Sequence, residues 1–288
     1  MPLKDSVRTV LYGLKTGYRL IDTAAMYRTE VGVRRALGRS GIDRKDIFIT
    51  TKLSNHGRDV ALRSFERSLK RLGSEYVDLY LIHYPYPAQN QYVDTWRALI
   101  ELKADGRARS IGVSNFNIEQ LKRIIDATGV VPALNQIGLH PTLQQRALCR
   151  FHYERRIVTE AWSPLGAGAS IREPAIRELA ARHSRTPAQI VLRWHMQLGN
   201  VAIPKSTRPE HLEANFRIFD FELTEEDMHA LASLDVREQA GTGSDALPQR
   251  SGVVGAIAQF AERYPVVDPI IQAAKKARPL VHKLRARA

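Results

Sequence analysis

The chain has 288 residues, 44% of them hydrophobic, one cysteine and a formal net charge of +13. That length suits a single large α/β core. No apolar run approaches the roughly 20 residues that span a bilayer. The stretch from Met1 to Gly13 lacks an apolar signal core followed by a small-residue cleavage site. Cys149 alone excludes an internal disulfide, which points to a reduced, cytoplasmic setting. As a lone thiol it reads as a core or surface residue rather than a nucleophile.

The charge is unevenly spread. Residues 250–288 hold eight Lys/Arg and two Asp/Glu, a contribution of +6, which leaves +7 on the other 249 residues. A mildly basic body suits a polyanionic small molecule. It has no basic stripe interleaved with aromatics, so nucleic acid is not an expected partner.

In chain order, a helical pattern over residues 6–16 precedes the first β-type run. Short apolar runs follow at 19–22, 47–52, 77–83, 110–114, 133–136, 157–162 and 201–204. Between them lie amphipathic stretches such as 60–72, 93–105, 118–127, 143–154 and 174–183. Thr186–Pro187 reads as a helix cap followed by a first-turn proline. Thr224 with Asp227 reads as a capping box. Alternation of this kind predicts βαβ units and a parallel sheet. Seven such units suggest an α/β fold of the (β/α)8 TIM-barrel type lacking strand one, since a complete barrel has eight strands. Residues 1–236 are expected to form the barrel and residues 237–288 a divergent basic tail. The expectation is that the recorded start lies downstream of the true one; a decaying gene, or another segment filling the gap, are the alternatives.

Nearly every run ends in a residue that an apolar core would not select. These are Asp22, Lys52, His83, Ser114–Asn115, Asn135–Gln136, Trp162–Ser163 and Lys205–Ser206. In a parallel barrel all strand C-termini open onto one face, which carries the active site. One such residue could be a helix cap; seven are hard to explain that way. Tyr27 follows the first run closely. A phenol has an ordinary pKa of about 10 and needs help to give up a proton near neutrality. The ammonium of Lys52 is expected to lower it, Asp22 to keep Lys52 charged, and His83 to orient a carbonyl oxygen. One His and one Asp beside a Lys leave no metal-ligand cluster, so no metal is expected.

These segments resemble the aldo-keto reductases, most closely bacterial 2,5-diketo-D-gluconate reductase-like members. The resemblance rests on GYRLIDTAAMYRTE (17–30), TTKL (50–53), DLYLIHYP (78–85), GVSNF (112–116), NQI with HP soon after (135–141), AWSPLGAG (161–168) and IPKST (203–207). It implies a cytoplasmic, monomeric, NADPH-dependent reductase of small aldehydes and ketones of the dicarbonyl, keto-sugar or keto-acid type. Asp22, Tyr27, Lys52 and His83 match the catalytic residues, with Tyr27 as general acid. Ser114, Asn115 and Gln136 match the groups that hold the nicotinamide carboxamide. Trp162 matches the aromatic stacked on the ring, and Ser163 and Leu165 match positions along the pyrophosphate. Lys205 and Ser206 match the 2′-phosphate clamp, and Asn215 an adenine contact. No Rossmann GxGxxG is present, in keeping with this family's different cofactor site.

The chain also departs from the family. His211 stands where an arginine usually meets the 2′-phosphate, and imidazole lacks arginine's fixed charge and forked donors; Arg208 on the same loop is expected to compensate. Ala214, with Glu213 beside it, replaces an adenine-contacting Glu. Gly138 replaces a Glu after NQI. Ser54 replaces a pocket Trp, which implies a roomier, less apolar substrate mouth. The rival to an active enzyme is an N-terminally truncated barrel that only binds cofactor, or a non-functional fragment. The basic end invites comparison with segments that bind anionic membranes, but a solvated tail is expected and no firm membrane signal is read.

Overall fold

A computed structural model describes residues 1–54 and 56–235. The chain divides into two compact units: Met1–Ile137 with Phe151–Thr159, and Gly138–Arg150 with the residues from Glu160 onward. The basic tail lies outside the described residues.

The first unit opens with helix α1 (Leu3–Thr16) and then alternates strand and helix. The order is β1 (Leu20–Asp22), α2 (Glu30–Ser40), β2 (Phe48–Leu53), α3 (Arg58–Leu72), β3 (Val77–Ile82), α4 (Tyr92–Ala104), β4 (Ala108–Ser114), α5 (Ile118–Thr128) and β5 (Leu134–Gly138). Neighbouring strands pair in parallel, with Asp22 opposite Thr50, Lys52 opposite Leu81 and Ser114 opposite Gln136. This register brings the polar strand ends to one edge of the sheet. Leu79, Leu81 and Leu134 form a buried cluster against which Phe48 and Val158 pack. Each such side chain contributes about 2 kcal/mol when fully buried. Asp78, buried in β3, accepts from the Ile49 amide at 2.9 Å and pairs with Arg44 and Arg109, tying β2, β3 and β4 together away from the strand ends.

Helix α2 was not among the stretches read as helical. Its Gly32 and three arginines blur the apolar period. The structure explains the glycine: a Cβ there would come within 2.0 Å of Ser6 Oγ, so the glycine lets α1 and α2 close on one another. A groove of about 900 Å³ beside these two helices carries Lys4, Arg8, Lys15, Arg35 and Arg39 and shares no residue with the site described below.

Helix α6 (Arg146–Arg155) and β6 (Val158–Trp162) each have residues in both units. The amphipathic pattern predicted α6 from Leu143. It starts later because Leu143 bridges to His140 and the Gln144 amide donates to the carbonyls of Pro141 and Leu231. The second unit continues with α7 (Pro174–Arg182), α8 (Pro187–Gln197), β7 (Val201–Ile203), α9 (Pro209–Phe216) and α10 (Glu225–Ala232). Strand β7 pairs in parallel with β6, Trp162 lying opposite Ile203. Thr186 with Gln189 and Thr224 with Asp227 form the capping boxes at α8 and α10. No helix among the described residues is long and apolar enough to cross a membrane.

Candidate active site

Lys52 sits in β2, flanked by apolar and hydroxyl residues, and its side chain is wholly buried. An ammonium in such a place must be paired. Its Nζ donates to Asp22 Oδ1 at 2.5 Å and to the Thr23 carbonyl at 3.0 Å. The other Asp22 oxygen accepts from Gln136 Nε2 at 2.9 Å. The Gln136 carbonyl accepts from Ser114 Oγ at 2.9 Å. Asn115 Nδ2 donates to Ser114 Oγ and to the His83 carbonyl, each at 3.0 Å. His83 Nε2 lies 3.3 Å from the Tyr27 hydroxyl, and Lys52 Nζ lies 5.2 Å from the centre of the Tyr27 ring. A run of hydrogen bonds thus links Lys52, Asp22, Gln136, Ser114, Asn115, His83 and Tyr27 at the strand ends, passing through the backbone carbonyls of Gln136 and His83, and its two ends meet where the lysine approaches the tyrosine ring. Asn115 adopts a left-handed backbone (φ 63°), a conformation its short amide tolerates, and this turns its side chain back onto His83.

Tyr27 comes from a single 3-10 turn, Ala25–Tyr27, that follows β1. Tyr27 is 43% exposed, so a small molecule can approach it from outside. The sequence predicted that Lys52 would lower its pKa. The structure gives the opposite direction: burial, Asp22 and Tyr84 push the phenol up to about 12. The lysine's charge is answered by Asp22 at contact distance, while the phenol keeps the desolvation cost of becoming an anion. Tyr27 is thus a protonated phenol across the neutral range. Burial and the Lys52 charge push His83 down to about 4, so the imidazole is neutral. Its Nδ1 has no hydrogen-bond partner among the described residues.

Some neighbours of this run were not singled out from the sequence. The Thr23 carbonyl is one, and a backbone atom leaves no sequence signal. Tyr84 is another; its ring stacks on His83 at 5.0 Å with 19° between planes. The aromatic following the histidine in HYP was the available clue.

In the second unit, the Trp162 indole rests on Gly138. A Cβ on Gly138 would approach the ring to 2.8 Å, so the missing side chain is what allows this seat. Trp162 is 37% exposed. Ser163 follows with φ 49°, and Leu165 precedes the turn Gly166–Gly168. Beyond β7, Lys205 is exposed and has no ion-pair partner among the described residues. Ser206 Oγ accepts from the Arg208 amide at 3.2 Å. Arg208, expected to make up for the missing arginine, instead holds Glu210 at 2.7 Å. Both groups are exposed, and such a pair is worth well under about 1 kcal/mol, so a stronger anion could displace it. His211 is exposed in the first turn of α9, and Asn215 is buried in the same helix. An exposed indole and an unpaired lysine beside a helix start suit a large planar ring and a phosphate respectively. Among the described residues no three His, Cys, Asp or Glu side chains are grouped to hold a metal ion. Cys149 is half-buried, its Sγ 3.5 Å from the Gln144 carbonyl.

The aldo/keto reductase family matches residues 1–236. An aldo-keto reductase of Mycolicibacterium smegmatis is 50% identical over 242 residues, covering 83% of this chain and 88% of its own length. Methylglyoxal reductase DkgA of Yersinia pestis is 46% identical over 241 residues, covering 83% of this chain and 87% of its own. Among solved structures, a point variant of Gox0644 in complex with NADPH is similar at a TM-score of 0.80 and 49% identity, over 85% of this chain and 89% of that one. The chain belongs to the aldo/keto reductase family, a family of oxidoreductases, and its fold is of the (β/α)8 barrel class with seven strands among the described residues.

Proposed function

We propose that the protein reduces the carbonyl group of small aldehydes and ketones, including dicarbonyls, with NADPH, and that Tyr27 gives the proton. The observation that carries this reading is the run of hydrogen bonds from the buried Lys52–Asp22 pair, in contact at 2.5 Å, through Gln136, Ser114 and Asn115 to His83, whose Nε2 meets the Tyr27 hydroxyl. A barrel that only held a cofactor would have no call for a buried ion pair behind an accessible phenol.

Ser114, Asn115 and Gln136 are the groups proposed to hold the carboxamide of the nicotinamide, Trp162 to stack on its ring, and Ser163 and Leu165 to follow the pyrophosphate. Lys205, Ser206, Arg208 and His211 would meet the 2′-phosphate, and Asn215 the adenine. That cofactor, when bound, supplies hydride to the carbonyl carbon. Neutral His83 offers the carbonyl oxygen a hydrogen bond and sets its orientation. Tyr27 holds the proton and releases it to that oxygen as negative charge develops there. An alkoxide is a far stronger base than a phenolate, so the transfer runs downhill even from a phenol with a pKa of about 12. Asp22 keeps Lys52 charged beside the Tyr27 ring between turnovers.

The methylglyoxal reductase named above supports a small dicarbonyl as the first substrate to try. The test is loss of reduced-nicotinamide absorbance with methylglyoxal and a panel of simple aldehydes. Turnover by the parent protein that Tyr27→Phe reduces by a factor of about 10²–10⁴ is the expected result for loss of a general acid. Undiminished turnover in that variant would remove Tyr27 from the mechanism.

A further inference from the structure

We infer that Thr23 and Thr29 are positioning residues for the proton-transfer step: their buried hydroxyls clasp the two ends of the loop that carries Tyr27, and so fix the phenol against His83 and Lys52. This rests on the carbonyl-reductase reading above.

The two hydroxyl oxygens lie 2.8 Å apart, one donating to the other, and both residues are buried. Thr23 closes the strand side of the loop. Its amide donates to the Thr50 carbonyl at 2.9 Å, and its carbonyl accepts from Lys52 Nζ at 3.0 Å. Thr29 closes the helix side, its carbonyl accepting from the Val33 amide at 3.0 Å as α2 begins. A threonine hydroxyl at such a position ordinarily caps the helix. The Thr29 side chain makes no cap hydrogen bond to α2; its hydroxyl is committed to Thr23 instead.

The segment between them needs such a tie. Met26 and Tyr27 are exposed, and Arg28 turns the chain at φ 55°, in the left-handed region that few residues other than glycine enter. Inside the segment the amides of Tyr27 and Arg28 donate to the carbonyls of Ala24 and Ala25. Among the described residues, the one hydrogen bond that leaves residues 24–28 is the contact of the Tyr27 hydroxyl with His83 Nε2, which at 3.3 Å is long. Ala24 adds a buried methyl group. The place of the phenol is therefore set from the base of the loop, and the same base holds Lys52 through the Thr23 carbonyl. Two methyl groups cannot take the place of the hydroxyls at 2.8 Å, because carbon atoms in contact stay about 3.5–4.0 Å apart. Without the clasp the loop base opens by about 1 Å, and misplacement on that scale slows a reaction by as much as about 10²-fold.

The test uses the double variant Thr23→Val with Thr29→Val, which removes both hydroxyls and so strands neither, and the single variant Thr29→Ser, which keeps the hydroxyl. Three quantities are measured on each: the single-turnover rate of bound NADPH with saturating methylglyoxal, which isolates the chemical step from product release, the Kd for NADPH by fluorescence titration, and the urea midpoint. In the double valine variant the rate should fall by about 10- to 100-fold. Its Kd for NADPH and its urea midpoint should stay close to the parent's, since replacing both partners of a hydrogen bond by apolar groups of the same shape is nearly neutral. Thr29→Ser should react within about threefold of the parent, because the hydrogen bond survives. A double valine variant that reacts at the parent's rate overturns the inference, and so does a Thr29→Ser variant as slow as the double valine. A rate loss matched by losses of NADPH affinity and stability also overturns it, since the clasp would then be a general support. Each of these results leaves the reductase reading standing. A parent protein that turns over neither methylglyoxal nor simple aldehydes would sink that reading and this inference with it.

Discussion

Lys52 Nζ and Asp22 Oδ1 are 2.5 Å apart, with the lysine side chain wholly buried and the aspartate nearly so. A buried pair is costly to assemble and more costly to break, because removing one partner strands the other charge in a poorly solvated place. Asp22→Asn should lower stability by about 3 kcal/mol, since Lys52 then faces a neutral amide oxygen in place of a carboxylate and the new NH2 opposes the Gln136 amide donor. Lys52→Met should cost less, because Asp22 is closer to solvent and keeps the Gln136 amide. The double variant should lose less than the sum of the two. Urea denaturation at constant m value reads all three; strict additivity would show that the pair is not coupled.

The phenol of Tyr27 is pushed up to about 12 by burial and by Asp22. The pH profile of kcat/KM reports the free enzyme, so no basic limb from this residue should appear below about pH 10 for carbonyl reduction. In Asp22→Asn one of the groups raising the phenol is gone, and the limb should move down. A parent profile that already falls between pH 8 and 9 through a group abolished by Tyr27→Phe would contradict the structure's reading of this site.

Much of this arrangement could be read from the chain. The strand ends announce themselves because Asp22, Lys52, His83, Ser114 and Gln136 each close an apolar run, and parallel pairing has only one edge at which to collect them. What escaped the reading depends on contacts between segments far apart in sequence. The direction of the Tyr27 shift is set first by burial and then by the nearby Asp22 and Tyr84, which spacing does not reveal. The start of α6 is set by the Leu143 bridge and by the Gln144 amide reaching Leu231. Arg208 was assigned to phosphate from its position, but Glu210, two residues on, was not weighed as its competitor.

Cofactor choice follows from the loop after β7. Lys205 is free of acidic partners among the described residues, while Arg208 is held by Glu210. Replacing His211 with Arg adds a forked donor that suits phosphate. The ratio of Kd for NADH to Kd for NADPH should then rise by about tenfold, a single charge-assisted contact being worth about 1.5–3 kcal/mol. Glu210→Gln should raise it by a smaller factor by releasing Arg208. Fluorescence titration with the two nucleotides measures both. Variants that tighten NADH and NADPH equally would show that this loop does not read the 2′-phosphate.

His152 provides a separate test of the core. It is fully buried, with Asn135 Nδ2 at 3.0 Å from Nε2 and Thr159 Oγ1 at 3.0 Å from Nδ1. Burial pushes its pKa down to about 3, so the folded protein keeps the ring neutral where an unfolded chain, with an ordinary value of about 6.5, takes up a proton. Above about pH 6.5 neither state binds that proton and His152 adds no pH dependence. Below it the unfolded state is favoured progressively, and stability falls until the folded ring also titrates near pH 3. From pH 8 to 5 the loss from this one group is about 2 kcal/mol. His83 and His195 are lowered in the same direction and add to the loss in the parent protein. His152→Asn removes the titrating ring while keeping polar atoms near Asn135 and Thr159. Its stability at pH 8 should be lower than the parent's, yet its further loss on going to pH 5 should be smaller by about 2 kcal/mol. Denaturation midpoints at the two pH values for both proteins give that difference directly, and parallel losses would mean that His152 is reached by protons in the folded state.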